Sequence, residues 1–109
     1  MILKLSDLQI EKKFLSDSQT FYPGTPDETT RLAVEKTMNN LIAQIVNGLK
    51  NKPEKAFVLS KFKSCLPLFD QFDSAEQDQV CNYLEEIMRI VGIDSSEKLI
   101  NLWRYGLPI

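Results

Sequence analysis

Apolar residues recur at intervals of three and four along nearly the whole chain, the period of a helix with one buried face. Leu5, Ser6 and Gln9 read as a hydrophobic residue, an N-cap and its capping-box partner. The helix they open carries Leu8, Ile10, Phe14 and Leu15 and fades near Asp17. From Ser18 through Phe21, Tyr22, Pro23 and Gly24 the period lapses. The Pro-Gly pair there marks a long loop whose two aromatic residues are expected to pack down on the helices.

Thr25, Pro26 and Glu28 supply an N-cap, a first-turn proline and an acid three residues after the cap, so a second helix is expected to run from there to about Lys50. Projected at 100° per residue, Val34, Met38, Leu41, Ile42, Ile45, Val46 and Leu49 fall within an arc of about 140°, one core-facing stripe. Gly48 should weaken the end of this helix by about 1 kcal/mol relative to alanine, and Asn51 with Pro53 stops it. A third helix starts near Pro53 and carries Val58, Leu59, Phe62, Cys65, Leu66 and Phe69 on one side. Pro67 lacks an N–H and collides with the preceding turn, so a kink or an end is expected there.

Asp73 with Glu76 forms another capping box. The fourth helix carries Val80, Leu84, Ile87, Met88 and Val91, is widened by Tyr83 and Ile90, and closes at Gly92. Asp94, Ser95 and Glu97 repeat the capping pattern before a short fifth helix with Leu99, Ile100 and Trp103 on one side, ended by Gly106 and Pro108. No segment alternates polar and apolar residues as a strand does, and no internal repeat is present. The expected fold is all-α: a compact antiparallel bundle of four to five helices in a single domain over residues 1–109.

Composition fits that reading: 109 residues with 43% hydrophobic and 26% charged are ordinary for one globular domain. The net charge of −2 leaves no positive excess to neutralise a phosphate backbone, so no nucleic-acid partner is expected. No stretch reaches the roughly 20 apolar residues of a membrane span, and the first residues lack the apolar run of a signal peptide. A cytoplasmic protein with no membrane partner is expected. Charge is nevertheless uneven. Lys50, Lys52, Lys55, Lys61 and Lys63 face one acid, Glu54, whereas the charges from Asp70 to Glu86 are all acidic. Complementary solvated helix faces account for this, and so does a dipolar surface that steers a partner.

Tyr22-Pro23-Gly24, Asn40-Leu41-Ile42 leading to Gly48-Leu49, Tyr83-Leu84-Glu85-Glu86-Ile87-Met88, Gly92-Ile93-Asp94-Ser95-Ser96 and Trp103-Arg104-Tyr105-Gly106 together resemble a family of small bacterial proteins catalogued only as a domain of unknown function. The resemblance spans nearly the whole chain and implies a helical domain. It carries no activity or catalytic residue.

The chain has no histidine, which removes Ser-His-Asp and Cys-His catalysis and the commonest zinc ligand. Cys65 and Cys81 lie on or beside apolar helix faces and are expected to be buried, reduced and unreactive. Glu85 and Glu86 point about 100° apart on a helix and cannot converge on one ion, and the four glycines are too scattered to cradle a phosphate. No catalytic residue, metal or cofactor is therefore expected.

Two features stand apart from the core pattern. Phe57 and Leu68 project away from the main apolar face of the third helix, beside Lys61. Tyr105 points away from Leu99 and Trp103 and shares its polar tip with Tyr22. Either the chain termini cover these groups, or they form an exposed aromatic patch of the composition favoured at binding hot spots. The candidate interface is Tyr22, Phe57, Trp103, Arg104 and Tyr105. The expected function is a non-catalytic helical module that binds another protein, in the manner of an immunity or antitoxin-like inhibitor, as a monomer or homodimer. A small enzyme using carboxylates or lysines and a structural homodimer are the alternatives.

Overall fold

The computed structural model describes residues 2–16, 18–19, 22–51, 54–96 and 98–106. Five helices follow one another: α1 (Ile2–Ile10), α2 (Glu28–Leu49), α3 (Lys55–Cys65), α4 (Ser74–Val91) and α5 (Leu99–Tyr105), with a 3₁₀ turn at Leu66–Phe69 between α3 and α4. Among the described residues there is no β-strand beyond a single bridged position at Tyr22. The fold is all-α, a bundle of five helices whose core draws residues from every helix. Its radius of gyration, 13.3 Å, is that of a chain packed around one interior.

The core stripe of α2 lies where the period puts it, with Val34, Met38, Leu41, Ile42 and Ile45 fully buried and Val46 and Leu49 nearly so. Phe62, Leu66 and Phe69 reach the same core from α3 and the 3₁₀ turn, and Val80, Leu84 and Ile87 from α4. Pro67 ends α3 as expected: it enters the tighter 3₁₀ turn near its start, where its missing N–H is harmless. Gly92 closes α4 at φ 79°, and the Ile93 N–H donates to the Met88 carbonyl at 2.8 Å.

Helix starts depart from the sequence expectation. Helix α1 begins at Ile2, so Ser6 lies inside it rather than at its cap. It ends at Ile10, short of Asp17, because Lys13 and Phe14 are taken up elsewhere. The Lys13 ammonium donates to the carbonyls of Gln9 at 3.2 Å and Glu11 at 2.9 Å, and Phe14 sits at φ 61°. Ile10 and Leu15, expected on the first helix, are exposed, and Leu15 lies beyond its end. The cap of α2 is Asp27 rather than Thr25: its carboxylate accepts the Thr30 N–H at 2.8 Å, which holds the carboxyl below its usual range. Thr25 instead bonds the Tyr22 hydroxyl at 2.7 Å. Asp73 does cap α4 by position, but its side chain makes no capping bond, and Glu76 is buried. Helix α5 follows Lys98, which sits at φ 71°, and the Ser96 hydroxyl accepts the Ile100 N–H at 3.3 Å; Glu97 lies outside the described residues, as do Pro53 and Pro108.

The reversal after α1 is held by polar side chains from two other helices. The Lys13 N–H donates to Glu35 Oε2 at 2.7 Å, and Arg31 Nη1 donates to the Lys13 carbonyl at 3.0 Å and to the same Glu35 oxygen at 2.9 Å. The Phe14 N–H donates to the Tyr83 hydroxyl of α4 at 3.0 Å, and its carbonyl accepts the Thr25 N–H at 3.2 Å. Lys13 and Phe14 are both fully buried. Desolvation lowers the Lys13 ammonium below its ordinary pKa, against the pull of Glu35 and Glu11. The Phe14 ring meets Tyr22 edge-on at 6.4 Å and Tyr83 at 5.0 Å, which buries the loop aromatic.

Gly48 has a steric role that composition did not suggest. A Cβ added there would fall 1.8 Å from Phe57 Cζ, so the bare backbone of α2 is the notch that seats the Phe57 ring and sets how closely α3 approaches. Overpacking costs about 1–3 kcal/mol and outweighs the roughly 1 kcal/mol of helix propensity that alanine restores. Gly48→Ala should therefore lower the urea unfolding free energy by up to about 2 kcal/mol. Combined with Phe57→Ala, it should cost less than the sum of the two single changes.

Glu76 generates a pH prediction. Burial, then repulsion from Asp73, raises its carboxyl above the ordinary 4.5. The folded state thus keeps its proton to higher pH than the unfolded chain, so this group's contribution to stability falls as pH climbs from about 4.5 towards neutrality. Glu76→Gln, neutral throughout, should flatten that fall and raise the melting temperature at pH 7. An unchanged pH profile would show that Glu76 is solvated.

Candidate functional site

Helix α5 is seven residues long and turns Ile100 into the core, with Leu99 and Trp103 half-buried against it. One helical turn apart on the other side, Leu102 and Tyr105 are 52% and 59% exposed. Gly106, at φ 71°, stops the helix directly after Tyr105 and donates its N–H to the Leu102 carbonyl at 2.9 Å.

Two carboxylates fix this helix from neighbouring elements. The Trp103 indole N–H donates to Asp70 Oδ1 at 2.8 Å, and its ring meets Phe69 edge-on with centroids 6.4 Å apart. Arg104 Nε donates to Asp78 Oδ1 of α4 at 2.6 Å, and the guanidinium stands 5.3 Å from the Tyr105 ring centroid. The Asp78 hydrogen bond holds Arg104 still more firmly protonated than a free guanidinium. Being on the surface, these contacts set orientation more than stability.

Beneath Arg104, Cys81 is half-buried, and burial pushes its thiol up to about 11 even though the guanidinium opposes that shift. It is a thiol, not a thiolate, at neutral pH. Cys65 is buried and also free. Among the described residues no group of three His, Cys, Asp or Glu side chains could hold a metal ion.

The stretch of chain that ends in α5 is acidic. Residues 70–106 contain eight acids and three bases, a net of −5. Glu86 and Asp78 engage Arg89 and Arg104, Glu76 is buried, and Asp73, Glu85 and Asp94 stand exposed. Lys55, Lys61 and Lys63 lie on α3, and Lys55 and Lys63 line a groove with Ser96 and Leu99 at the start of α5.

The structure divides the five candidate interface residues. Trp103 and Arg104 are half-buried and held by Asp70 and Asp78, whereas Tyr105, on the other side of α5, is exposed. Tyr22 is only 6% exposed and belongs to the core, its hydroxyl bonded to Thr25. Phe57 is half-buried on Gly48 with the Lys61 ammonium 5.6 Å from its ring centroid. Sequence reasoning missed Leu102, although its spacing of three from Tyr105 was the available signal. Nothing in the sequence could pair Asp70 with Trp103 or Asp78 with Arg104, because those partners lie 33 and 26 residues apart.

The model of the family described as a domain of unknown function, DUF4844, matches residues 1–108. The chain belongs to this family. No curated protein and no solved structure matches it. Parts of the segments that carried the resemblance to such a family fall at core and capping positions of the DUF4844 chain: Tyr22 is interior, and Gly92 and Gly106 end α4 and α5, while Tyr105 is exposed. No helix among the described residues is long and apolar enough to cross a membrane.

The thiol chemistry is open to a direct check. With a pKa near 11, well below one thousandth of Cys81 is thiolate at pH 7.5, against roughly a tenth of an unperturbed cysteine. Labelling by a thiol reagent should be at least about a hundredfold slower in the native protein than in urea. Rapid native labelling of Cys81 would show that the site is open and its thiol activated.

Proposed function

We propose that the protein is a non-catalytic helical binding module that docks a second protein on the outer face of α5. One observation carries this reading: Leu102 and Tyr105 are presented to solvent by a short helix whose adjacent Trp103 and Arg104 are pinned to Asp70 and Asp78. A rigid aromatic and aliphatic pair loses little conformational freedom on binding, and Tyr, Trp and Arg are the residues on which interface energy concentrates. The acidic rim selects a partner whose apolar pocket is bordered by basic groups and speeds their encounter. An inhibitor of the immunity or antitoxin type, which blocks a basic site on its target, has this form. A bacterial cytoplasmic setting accords with its two free cysteines.

The enzyme alternative has less support. The histidine-free chain offers carboxylates and lysines as acid–base groups, while the cleft of about 470 Å³ between the end of α4 and the start of α5 lies open and is lined by Arg89, Asp94, Ser95 and Asn101. Its titratable groups carry no combination of burial and close charge of the sort that marks a catalytic pair.

A photo-crosslinking residue at position 102 should capture the partner in cells, and Tyr105→Ala then tests the surface with the captured protein. Because Tyr105 is largely exposed, the variant should melt within about 2 °C of the parent, yet bind at least thirtyfold more weakly, the loss of about 2 kcal/mol expected of a hot spot. Added salt should slow association by screening the acidic rim. A variant that is equally stable and binds normally would remove α5 as the site.

A further inference from the structure

Helix α3 carries Lys55, Lys61 and Lys63 and no acid. Two of these lysines, Lys55 and Lys63, border a groove of about 530 Å³ between α3 and the start of α5, with Ala56, Leu59 and Leu99 as its apolar lining. None of its described lining residues is acidic. Glu54, just before the helix, lines a different crevice with Leu49 and Val91. Lys63 is exposed, and among the described residues no carboxylate pairs with it. Lys55 has a contact of its own, but an ammonium carries three donors and can serve a second acceptor.

The spacing of these groups defines an occupant. Lys55, Leu59 and Lys63 follow one another at intervals of four residues, which sets the two charged positions about 12 Å apart along the helix with the apolar one halfway between. In an extended peptide, residues two and four places apart point to the same side, and those four apart are separated by about 13 Å. From this match we infer that the groove receives an acidic segment of another protein in extended form. Two carboxylates four residues apart lie over Lys55 and Lys63, and an apolar side chain midway between them rests on Leu59 and Leu99. The pattern reads the same in both chain directions, so either polarity fits. The Ser96 hydroxyl accepts the Ile100 N–H and keeps its own proton to donate to a backbone carbonyl of the segment.

Other anionic occupants match less well. An isolated phosphate is best held by guanidinium forks or by donors that converge on it, and the cations here are lysines two turns apart. A membrane surface calls for apolar groups that protrude, whereas Leu59 and Leu99 are half-buried against the core. Leu102 and Tyr105 take no part in the lining, so the groove is independent of the outer face of α5.

Fluorescence anisotropy of a synthetic peptide tests the inference, with glutamates four residues apart, leucine midway, and glycine and serine elsewhere. Ion pairs at an open surface are weak and screened by salt, so the full chain should bind it at low salt with a Kd on the order of 100 µM. Lys63→Glu should weaken binding at least about fivefold, with helical circular dichroism unchanged because the side chain is exposed. Replacing one peptide glutamate by lysine should restore binding to that variant to within about threefold, a swap that a damaged fold would not show. Lys61→Glu, outside the groove, should change the affinity less than about twofold. Tyr105→Ala should leave it unchanged, which keeps this result separate from the α5 reading. Absence of binding at about 1 mM, or binding indifferent to Lys63→Glu, would overturn the inference. So would equal binding of a peptide with glutamine for both glutamates or serine for leucine, or tighter binding of an oligonucleotide of the same charge.

Discussion

The placement of α1 depends on how two buried residues, Lys13 and Phe14, find partners for their backbone. A reversal in the interior must satisfy every N–H and C=O it carries, since an unpaired buried polar group costs as much as several good contacts supply. Here Arg31 and Glu35 of α2 take the polar atoms of Lys13, and Tyr83 and Thr25 take those of Phe14. The Lys13 ammonium turns back to cap the carbonyls that α1 leaves open. One pair of residues thus fixes where α1 stops, how it lies on α2, and which face of α4 it meets. The charged members are mutually paired, so the node holds while complete and becomes costly if one partner is removed.

Around this node the remaining contacts fall into place by shape. Phe14 occupies the space between Tyr22 and Tyr83 and draws the loop before α2 onto the bundle. On the far end of α2, the Gly48 notch admits Phe57 and brings α3 close. Helix α4 carries Tyr83 towards the node and Asp78 towards α5, so the same rod connects the buried polar network with the exposed C-terminal surface.

The functional reading follows from what this scaffold leaves outside. Apolar side chains are left outside on several elements, among them Leu102 and Tyr105 on α5 and Leu3 and Ile10 on α1, together with Leu15, Leu32 and Leu68.

How much of this was legible in the sequence varied with range. The buried stripe of α2, the break at Pro67 and the glycine that closes α4 are local properties, dictated by helical period, a missing N–H and a left-handed backbone. Those the sequence determined by itself. The start of α2 was less legible because Thr25 and Asp27 are both competent caps, and the choice between them is made by what else each can bond. Whether an aromatic residue was interface or interior was not legible at all. Tyr22 and Tyr105 look alike in sequence, yet one meets Phe14 and Thr25 and the other meets water. Exposure belongs to the packed chain. It is set by partners from other elements, and only the tertiary structure brings Lys13 to Glu35, Phe57 to Gly48 and Arg104 to Asp78.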